Sequence, residues 1–154
     1  MKKVKFFCIA FILVCSLGGM SGLSSQISLE IGTTGLEIIW EKTLGGSLND
    51  QGFSVIQTTD GGFVVAGVTN SFGTERNDYW IIKLGADGQH LWNQTFPRNG
   101  DEDDNLVSVI EATNGDIVVG GTLVVGAPDN REFLLFKLNG NGQHVWNHTY
   151  GAEA

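Results

Sequence analysis

The sequence repeats itself with an offset of 54 residues, and this repeat constrains the fold more than any other feature. Residues 54–67 align with residues 108–121, and residues 88–96 align with residues 142–150 in the same register. The latter two segments share the pattern Trp-Asn-x-Thr followed by an aromatic residue, and a partial earlier copy of it starts at Trp40. A period of this length indicates one supersecondary unit that is used more than once.

Each repeat is predicted to contain four short β-strands separated by turns. The chain has 22 glycines and 2 prolines, a balance that suits tight turns. Asp60-Gly61 is a preferred hairpin dipeptide, because both residues accept positive φ angles. No sustained helical period follows the N-terminal leader. The predicted strands cover residues 53–57, 63–68, 79–84 and 89–96 in the first repeat, and residues 106–111, 117–121, 133–138 and 143–150 in the second.

Two of these strands contain continuous apolar runs, at residues 63–66 and residues 133–136, instead of an alternating pattern. Such runs indicate sheets that are covered on both faces. Four-stranded antiparallel sheets stacked face to face meet this requirement, as in a β-propeller. The sequence therefore predicts an all-β fold of two four-stranded antiparallel propeller-type blades plus an extra N-terminal strand, after a signal peptide. A small β-sandwich or an open meander is the alternative architecture.

The N-terminus has the layout of a secretory signal peptide. Lys2, Lys3 and Lys5 precede an apolar stretch at residues 6–17, and small and polar residues follow as far as position 25. The apolar stretch is short for a membrane span, and an uncleaved N-terminal anchor is the alternative. We therefore expect a secreted or cell-surface protein that meets the membrane only through its leader.

The domain boundaries follow from the leader and the repeat. They are a signal peptide at residues 1–25, a linker at 26–35 and a β-propeller-like repeat region at 36–154. Within that region lie a partial strand at 36–44, repeat one at 45–96, repeat two at 97–150 and a truncated start of a third repeat at 151–154. Both cysteines, Cys8 and Cys15, lie in the leader, so the processed chain would contain no thiol.

The charge of the chain argues against nucleic-acid partners. The formal net charge is −8. Removing the leader takes away three of nine basic residues and leaves six against seventeen acidic residues, a formal charge of −11. Such a surface repels nucleic acid and anionic lipid headgroups.

The acidic run at residues 101–105 is the strongest candidate for a metal site. Asp101, Asp103 and Asn105 have the spacing of the first three ligands in a calcium-binding loop. However, Leu106 replaces the glycine of that motif, and Ala112 stands where its bidentate glutamate belongs. These three residues are therefore weak calcium candidates, and a solvated acidic loop is the alternative.

No constellation of residues predicts catalysis. The sequence has no Gly-x-Ser-x-Gly motif, and no spacing favours a pair of glutamates as a glycosidase site. His144 and His148 would lie about 13 Å apart along a strand, too far apart to bind one metal ion. His90 and His144 occupy equivalent positions in the two repeats, which indicates surface positions of a repeated strand. We therefore expect no catalytic residue, no cofactor and no enzyme.

Two other sets of residues recur with the repeat. Asn93 and Asn147 begin N-glycosylation acceptor sequences, although both would recur simply because the strand recurs. Trp40, Trp92 and Trp146 also occupy equivalent positions. We expect these tryptophans to be packing anchors between neighbouring sheets, because large aromatic side chains bury the most area per residue.

The repeat motifs resemble those of a family of exported archaeal and bacterial β-propeller-like proteins with many tandem copies. The resemblance rests on residues 54–63, 79–83 and 88–95, and it extends over residues 36–154. It implies a blade fold and an extracytoplasmic location, and no established reaction. The chain departs from the family in having two complete repeats, because closed propellers need about four to eight blades.

These observations together predict a non-enzymatic extracytoplasmic repeat module for surface structure or for binding proteins or glycans. Its expected partners are a second copy of itself or further blades, with an extracellular protein or glycan as a ligand. Two alternatives remain: a truncated fragment of a longer multi-blade protein, or an accessory part of a secreted hydrolase.

Overall fold

The structure is a computed structural model, which describes residues 4–9, 12–17, 38–73, 78–97, 108–124 and 131–151. These residues form β-strands and turns, and none of them is helical. Consequently, no helix in the described part of the chain has the length and apolarity needed to cross a membrane. The strands are β1 (Val4–Ile9), β2 (Ile12–Leu17), β3 (Ile38–Leu44), β4 (Asp50–Gln57), β5 (Phe63–Thr69), β6 (Asp78–Leu84), β7 (His90–Phe96), β8 (Ser108–Glu111), β9 (Ile117–Val124), β10 (Arg131–Leu138) and β11 (His144–Tyr150).

The strands form three antiparallel sheets. The first sheet has the order β4-β5-β6-β7, and the second sheet repeats it as β8-β9-β10-β11. The N-terminal sheet has the order β2-β1-β3. The predicted all-β fold with two four-stranded antiparallel sheets is therefore confirmed. The extra N-terminal strand is β3, and it pairs along one edge with β1 from the leader region.

The offset of 54 residues is preserved in the hydrogen-bond register. Val55 lies opposite Val65 in the first sheet, and Val109 lies opposite Val119 in the second. An irregularity between Lys83 and the next residue recurs 54 positions later, after Lys137. The repeat in the sequence is thus a repeat of strand pairing as well.

Each four-stranded sheet has two apolar faces, which we call the A face and the B face. In the first sheet, the A face carries Ile56, Val64, Ala66, Tyr79, Ile81, Trp92 and Phe96. The B face carries Val55, Phe63, Val65, Trp80, Ile82 and Leu84. The two faces arise because successive side chains of a strand point to opposite sides.

The sheets stack with the A face of one against the B face of the next. The B face of the second sheet carries Val109, Ile117, Val119, Leu134, Phe136 and Leu138, and these residues form one core with the A face of the first sheet. On the other side, Leu44 and Trp40 of β3 cover the B face of the first sheet. The first sheet is therefore covered on both faces, and every residue of β5 and β6 is buried.

The second sheet differs from the prediction that both faces of each sheet are covered. Its residues 133–136 were predicted to be covered on both faces, yet Phe133 is 46 % exposed while Leu134 and Phe136 are buried. The prediction is wrong for this sheet, because within the described residues nothing packs against its A face. The predicted linker and the leader residues 18–25 lie outside the described residues, so the signal peptide stays a prediction.

Candidate functional site

The A face of the second sheet is a broad apolar surface that faces solvent. Ile110 is 58 % exposed, Phe133 46 % and Tyr150 57 %. Pairing of β10 with β11 places Tyr150 beside Phe133 and His148 beside Leu135 on this face. Exposed apolar patches of this kind mark interaction sites more often than isolated surface hydrophobic residues do.

An aromatic row runs along β11 on this face. The rings of Trp146 and His148 lie 5.2 Å apart, and those of His148 and Tyr150 lie 6.4 Å apart. The row exists because alternate residues of a strand point to the same side. It gives the face a rigid edge with large side chains that lose little entropy when they are covered.

The equivalent row of the first sheet is engaged in packing. Phe96 stands where Tyr150 stands in the second repeat, and its ring lies 4.8 Å from Phe136 and 6.2 Å from His144. Tyr79, the counterpart of Phe133, donates a hydrogen bond from its hydroxyl to the Thr122 carbonyl oxygen. The A face of the first sheet is thus the contact surface for the next sheet.

A tryptophan fixes each of the two contacts between successive sheets. The Trp40 indole N–H donates to the Ala86 carbonyl oxygen at 2.9 Å, and the Trp92 indole N–H donates to the Gly140 carbonyl oxygen at 3.2 Å. Trp146 occupies the third equivalent position. Among the residues that the structure describes, no turn lies against its indole in this way. The prediction that tryptophans anchor neighbouring sheets is confirmed for Trp40 and Trp92.

The turns that receive these indoles require glycine. Gly88 has φ 76°, and a Cβ built there would lie 2.7 Å from the Trp40 ring. Gly142 has φ 79°, and its Cβ would lie 2.8 Å from the Trp92 ring. Any other residue would push the indole away, so each tryptophan and its glycine turn form a matched pair, which we call the indole–turn contact.

Comparison with protein-family models and with curated proteins found no match to this chain.

The candidate calcium ligands Asp101, Asp103 and Asn105 lie outside the described residues. The matching loop of the first repeat contains Asp50, which is completely buried. Its carboxylate accepts hydrogen bonds from the Gly46 N–H at 2.9 Å, from the Ser71 hydroxyl at 2.8 Å and from the Thr69 hydroxyl. In the first repeat, the carboxylate at this position therefore closes a loop.

Within the described residues, the other titratable side chains do not come together in a site. Among the described residues, no group of three or more His, Cys, Asp or Glu could hold a metal ion. Glu111 instead joins the two sheets, because its carboxylate accepts hydrogen bonds from the Thr59 N–H at 2.8 Å and the Thr59 hydroxyl at 3.1 Å. His90 and His144 are exposed at equivalent positions of β7 and β11.

The two predicted glycosylation residues lie on exposed edge strands. Asn93 is on β7 and Asn147 is on β11, and both are exposed. The Asn93 amide is partly engaged, since its oxygen accepts a hydrogen bond from the Trp80 indole at 3.3 Å and its nitrogen lies 2.9 Å from the His90 ring. Use of these residues for glycosylation stays a prediction.

Sequence reasoning missed an ion pair between a buried lysine and an exposed aspartate, which secures one turn. Lys83 is 6 % exposed. Its ammonium donates to the Thr58 hydroxyl at 2.6 Å and to the Asp60 carboxylate at 2.8 Å. Hydrogen bonds to the Asp60 carboxylate, from Lys83 first and then from the Thr58 hydroxyl and the Gly62 N–H, hold the pKa of Asp60 far below its usual range. The signal was present in the sequence, because a lysine interrupts the same apolar strand in both repeats, at positions 83 and 137.

The second repeat contains a similar pair, in which Lys137 is more exposed than Lys83 and Asp116 is less exposed than Asp60. Lys137 lies 2.6 Å from the Asp116 carboxylate, which also accepts a hydrogen bond from Asn114. The lysine contact lowers the pKa of Asp116 as well. Both pairs tie a hairpin turn to the neighbouring strand, so their role is structural.

Proposed function

We propose that this chain is an exported, non-catalytic repeat module of the β-propeller type, which acts in surface structure or in binding other proteins through stacked sheets. One observation carries this proposal: the A face of the second sheet is exposed, although the equivalent face of the first sheet is buried by a further sheet. Because the repeat places equivalent residues on both A faces, the exposed A face of the second sheet can be covered by another sheet in the same way.

The sheets stack head-to-tail, with the A face of one sheet against the B face of the next, and this favours a module in which further sheets extend the stack. A contact between two different faces leaves one free face at each end of the stack, unless the stack closes into a ring. Propellers close such a stack with about four to eight sheets. The described part of this chain contains two complete sheets, so further sheets would come from another molecule or from other segments of a longer chain.

Export is supported by the leader alone, with its lysines and apolar stretch. A non-catalytic role is supported by the use that the two repeats make of their carboxylates. Asp50, Asp60 and Glu111 each accept hydrogen bonds from neighbouring turns and loops.

The test of this function is the native mass of the protein, measured by light scattering over a range of concentrations. We expect a mass above that of the monomer, which increases with concentration. Ile110→Asp should reduce association because it places a charge on the A face of the second sheet. Ile39→Asp is the matched control, since Ile39 is also an exposed isoleucine in a strand. A monomer at all concentrations with a cooperative melt would contradict the proposal.

A second candidate function is glycan binding, which the exposed aromatic row of Trp146, His148 and Tyr150 favours. Flat aromatic surfaces can stack against the apolar faces of sugar rings. A glycan array with the protein and with Trp146→Ala tests this function, and signal that depends on Trp146 would support it. Metal-dependent hydrolysis in an activity screen would instead favour an accessory part of a hydrolase.

A further inference from the structure

The B faces of both complete sheets are already covered within the chain. The B face of the second sheet packs against the A face of the first sheet. The B face of the first sheet lies under the three-stranded sheet β2-β1-β3, and its apolar residues are at most 6 % exposed. A second copy of the chain therefore offers neither of these two faces to the exposed A face of the second sheet.

The exposed A face also lacks one of the hydrogen bonds that hold a B face on the first sheet. Tyr79 of the first sheet donates from its hydroxyl to the Thr122 carbonyl oxygen of the second sheet. Phe133 stands at the equivalent position of the second sheet and has no hydroxyl group. Its ring leans over Gly120 instead, 3.4 Å from the position that a Cβ of residue 120 would occupy. At this position the exposed face is apolar where the buried face is polar.

The exposed A face carries no carboxylate among its described residues, although the chain has 17 acidic and 9 basic residues. Strand pairing shows that alternate residues form this face, from Ser108 on β8 to Tyr150 on β11. Lys137 lies on it, and its charge is paired with Asp116 at 2.6 Å. Like charges that are brought together across an interface oppose association. Two acidic molecules that meet through this face avoid a direct contact between carboxylates.

We propose that the partner of the exposed A face is the same face of a second copy, so that two chains form a symmetric dimer. Such a contact uses one surface patch on both copies and closes at two, with no A face left uncovered. Sheets pack face to face in β-sandwiches with their strands aligned within about 30°. The inference rests on the proposed function, because it names the partner of the face that carries that function.

The size of the face suits a weak dimer. Four strands of about seven residues form a face of about 20 Å by 20 Å. Two such faces bury on the order of 1,000 Å² of accessible surface, which is near the lower limit for a specific interface. Ile110, Phe133 and Tyr150 supply apolar area, since each is about half exposed. We therefore expect a dimer that dissociates on dilution.

Sedimentation velocity of the full chain over a range of concentrations tests the closure of the assembly. We expect monomer and dimer and no larger species. Species that grow beyond the dimer as the concentration rises would overturn the symmetric contact and leave the proposed function in place, because they would show a stack that extends. A monomer at all concentrations would contradict both proposals.

A carboxylate placed on the face tests its role in the contact. His148→Asp changes an exposed residue of the aromatic row, and it should weaken dimerisation by about tenfold or more, because two carboxylates then lie in one interface. Asn147→Asp is the matched control, since Asn147 is the adjacent exposed residue of β11 and points to the other side of the sheet. It should change the dissociation constant by less than about twofold.

Equal effects of the two substitutions, or no effect of His148→Asp, would show that this face is not the contact. Where His148→Asp fails to fold, Tyr150→Ser removes an exposed ring from the same face and should also weaken dimerisation. A monomeric protein that binds a glycan through Trp146 would identify a sugar as the occupant and overturn the inference.

Mixing the variant with the unmodified protein tests the symmetry. Fluorescently labelled His148→Asp is titrated with the unlabelled unmodified protein, and binding is measured by fluorescence-detected sedimentation. In a symmetric contact the mixed dimer always contains the altered face, so its dissociation constant should be weaker than that of the unmodified dimer by about threefold or more. In an asymmetric contact, the intact A face of the unmodified copy would bind another surface of the variant. Unchanged affinity would therefore overturn the symmetric dimer and leave the proposed function in place.

Discussion

At the scale of single residues, equivalent positions of the two repeats carry the same chemistry with different degrees of exposure. Lys83 and Lys137 both bind an aspartate in the preceding hairpin turn, yet Lys83 is nearly buried and Lys137 is half-buried. The difference follows from the cover on the A face, which is present over Lys83. The aspartates are not equivalent, because Asp60 aligns with Asn114 and Asp116 aligns with Gly62. The repeat therefore preserves the lysine and its contact with the turn, and the burial of the lysine depends on the neighbouring sheet.

The ion pair of Lys83 predicts a pH dependence. The pKa of Asp60 is lowered in the folded state, so its carboxylate stabilises the protein above the unfolded-state pKa of about 4. That contribution is lost as the pH falls from about 4 through the folded-state pKa. Asp60→Asn should cost about 1 kcal/mol at pH 7, because the carboxylate is largely exposed and solvent screens it.

Urea unfolding at pH 7 and at pH 3 measures this effect. The difference between the protein and Asp60→Asn should be smaller at pH 3. Asp87→Asn, on an exposed turn, is the control for loss of a surface charge. An equal difference at both pH values would contradict the proposed role of the carboxylate.

The glycines of the indole–turn contact give a second prediction. Gly88→Ala should destabilise the protein by about 2–3 kcal/mol, because alanine is strained at positive φ and its Cβ would clash with Trp40. Gly115→Ala is a matched control, since Gly115 has φ 80° and no atom lies within 4 Å of its built Cβ. It should cost about 1 kcal/mol from backbone strain alone. Equal losses in thermal or urea unfolding would show that the clash contributes nothing.

At the scale of strands, the sequence predicted all eight strands of the two complete sheets, with boundaries that differ by a few residues. The largest differences are at β4, which begins at Asp50, and β9, which extends to Val124. Pairing with neighbouring strands extends both elements beyond their apolar centres, and a local pattern does not contain that information. At β8, the predicted residues 106 and 107 lie outside the described residues, and the described strand begins at Ser108.

Trp92 and Trp146 lie at equivalent positions of β7 and β11, but we expect them to contribute differently to the stability of the monomer. Trp92→Ala should destabilise the monomer by about 2–4 kcal/mol, because Trp92 packs against the turn of the second sheet. Trp146→Ala should change the free energy of unfolding of the monomer by less than about 0.5 kcal/mol, because no described residue of another sheet lies against its indole. Urea unfolding at a low protein concentration measures both. A large loss for Trp146→Ala would mean that the exposed face already has a cover in the monomer.

At the scale of the whole molecule, the charge opposes association while the exposed apolar face favours it. Two copies with a formal charge of −8 repel each other, and this repulsion is screened by salt. Association should therefore become several-fold tighter when NaCl is raised from about 50 mM to about 500 mM, since the Debye length then falls well below 10 Å. Sedimentation equilibrium at the two concentrations measures the change. Weaker association at high salt would indicate contacts between opposite charges instead of an apolar interface.

The sequence alone determined the repeat, its strands and its turns, because these depend on local patterns of apolar residues and on glycines at positive φ. The tertiary structure decided which faces are covered. Tyr79 and Phe133 occupy equivalent positions, yet Tyr79 is fully buried and Phe133 is 46 % exposed. Their local sequences predict the same environment, and the difference arises because a sheet packs over the first residue and none of the described residues packs over the second. Burial is a property of neighbouring elements, and a strand does not encode it by itself.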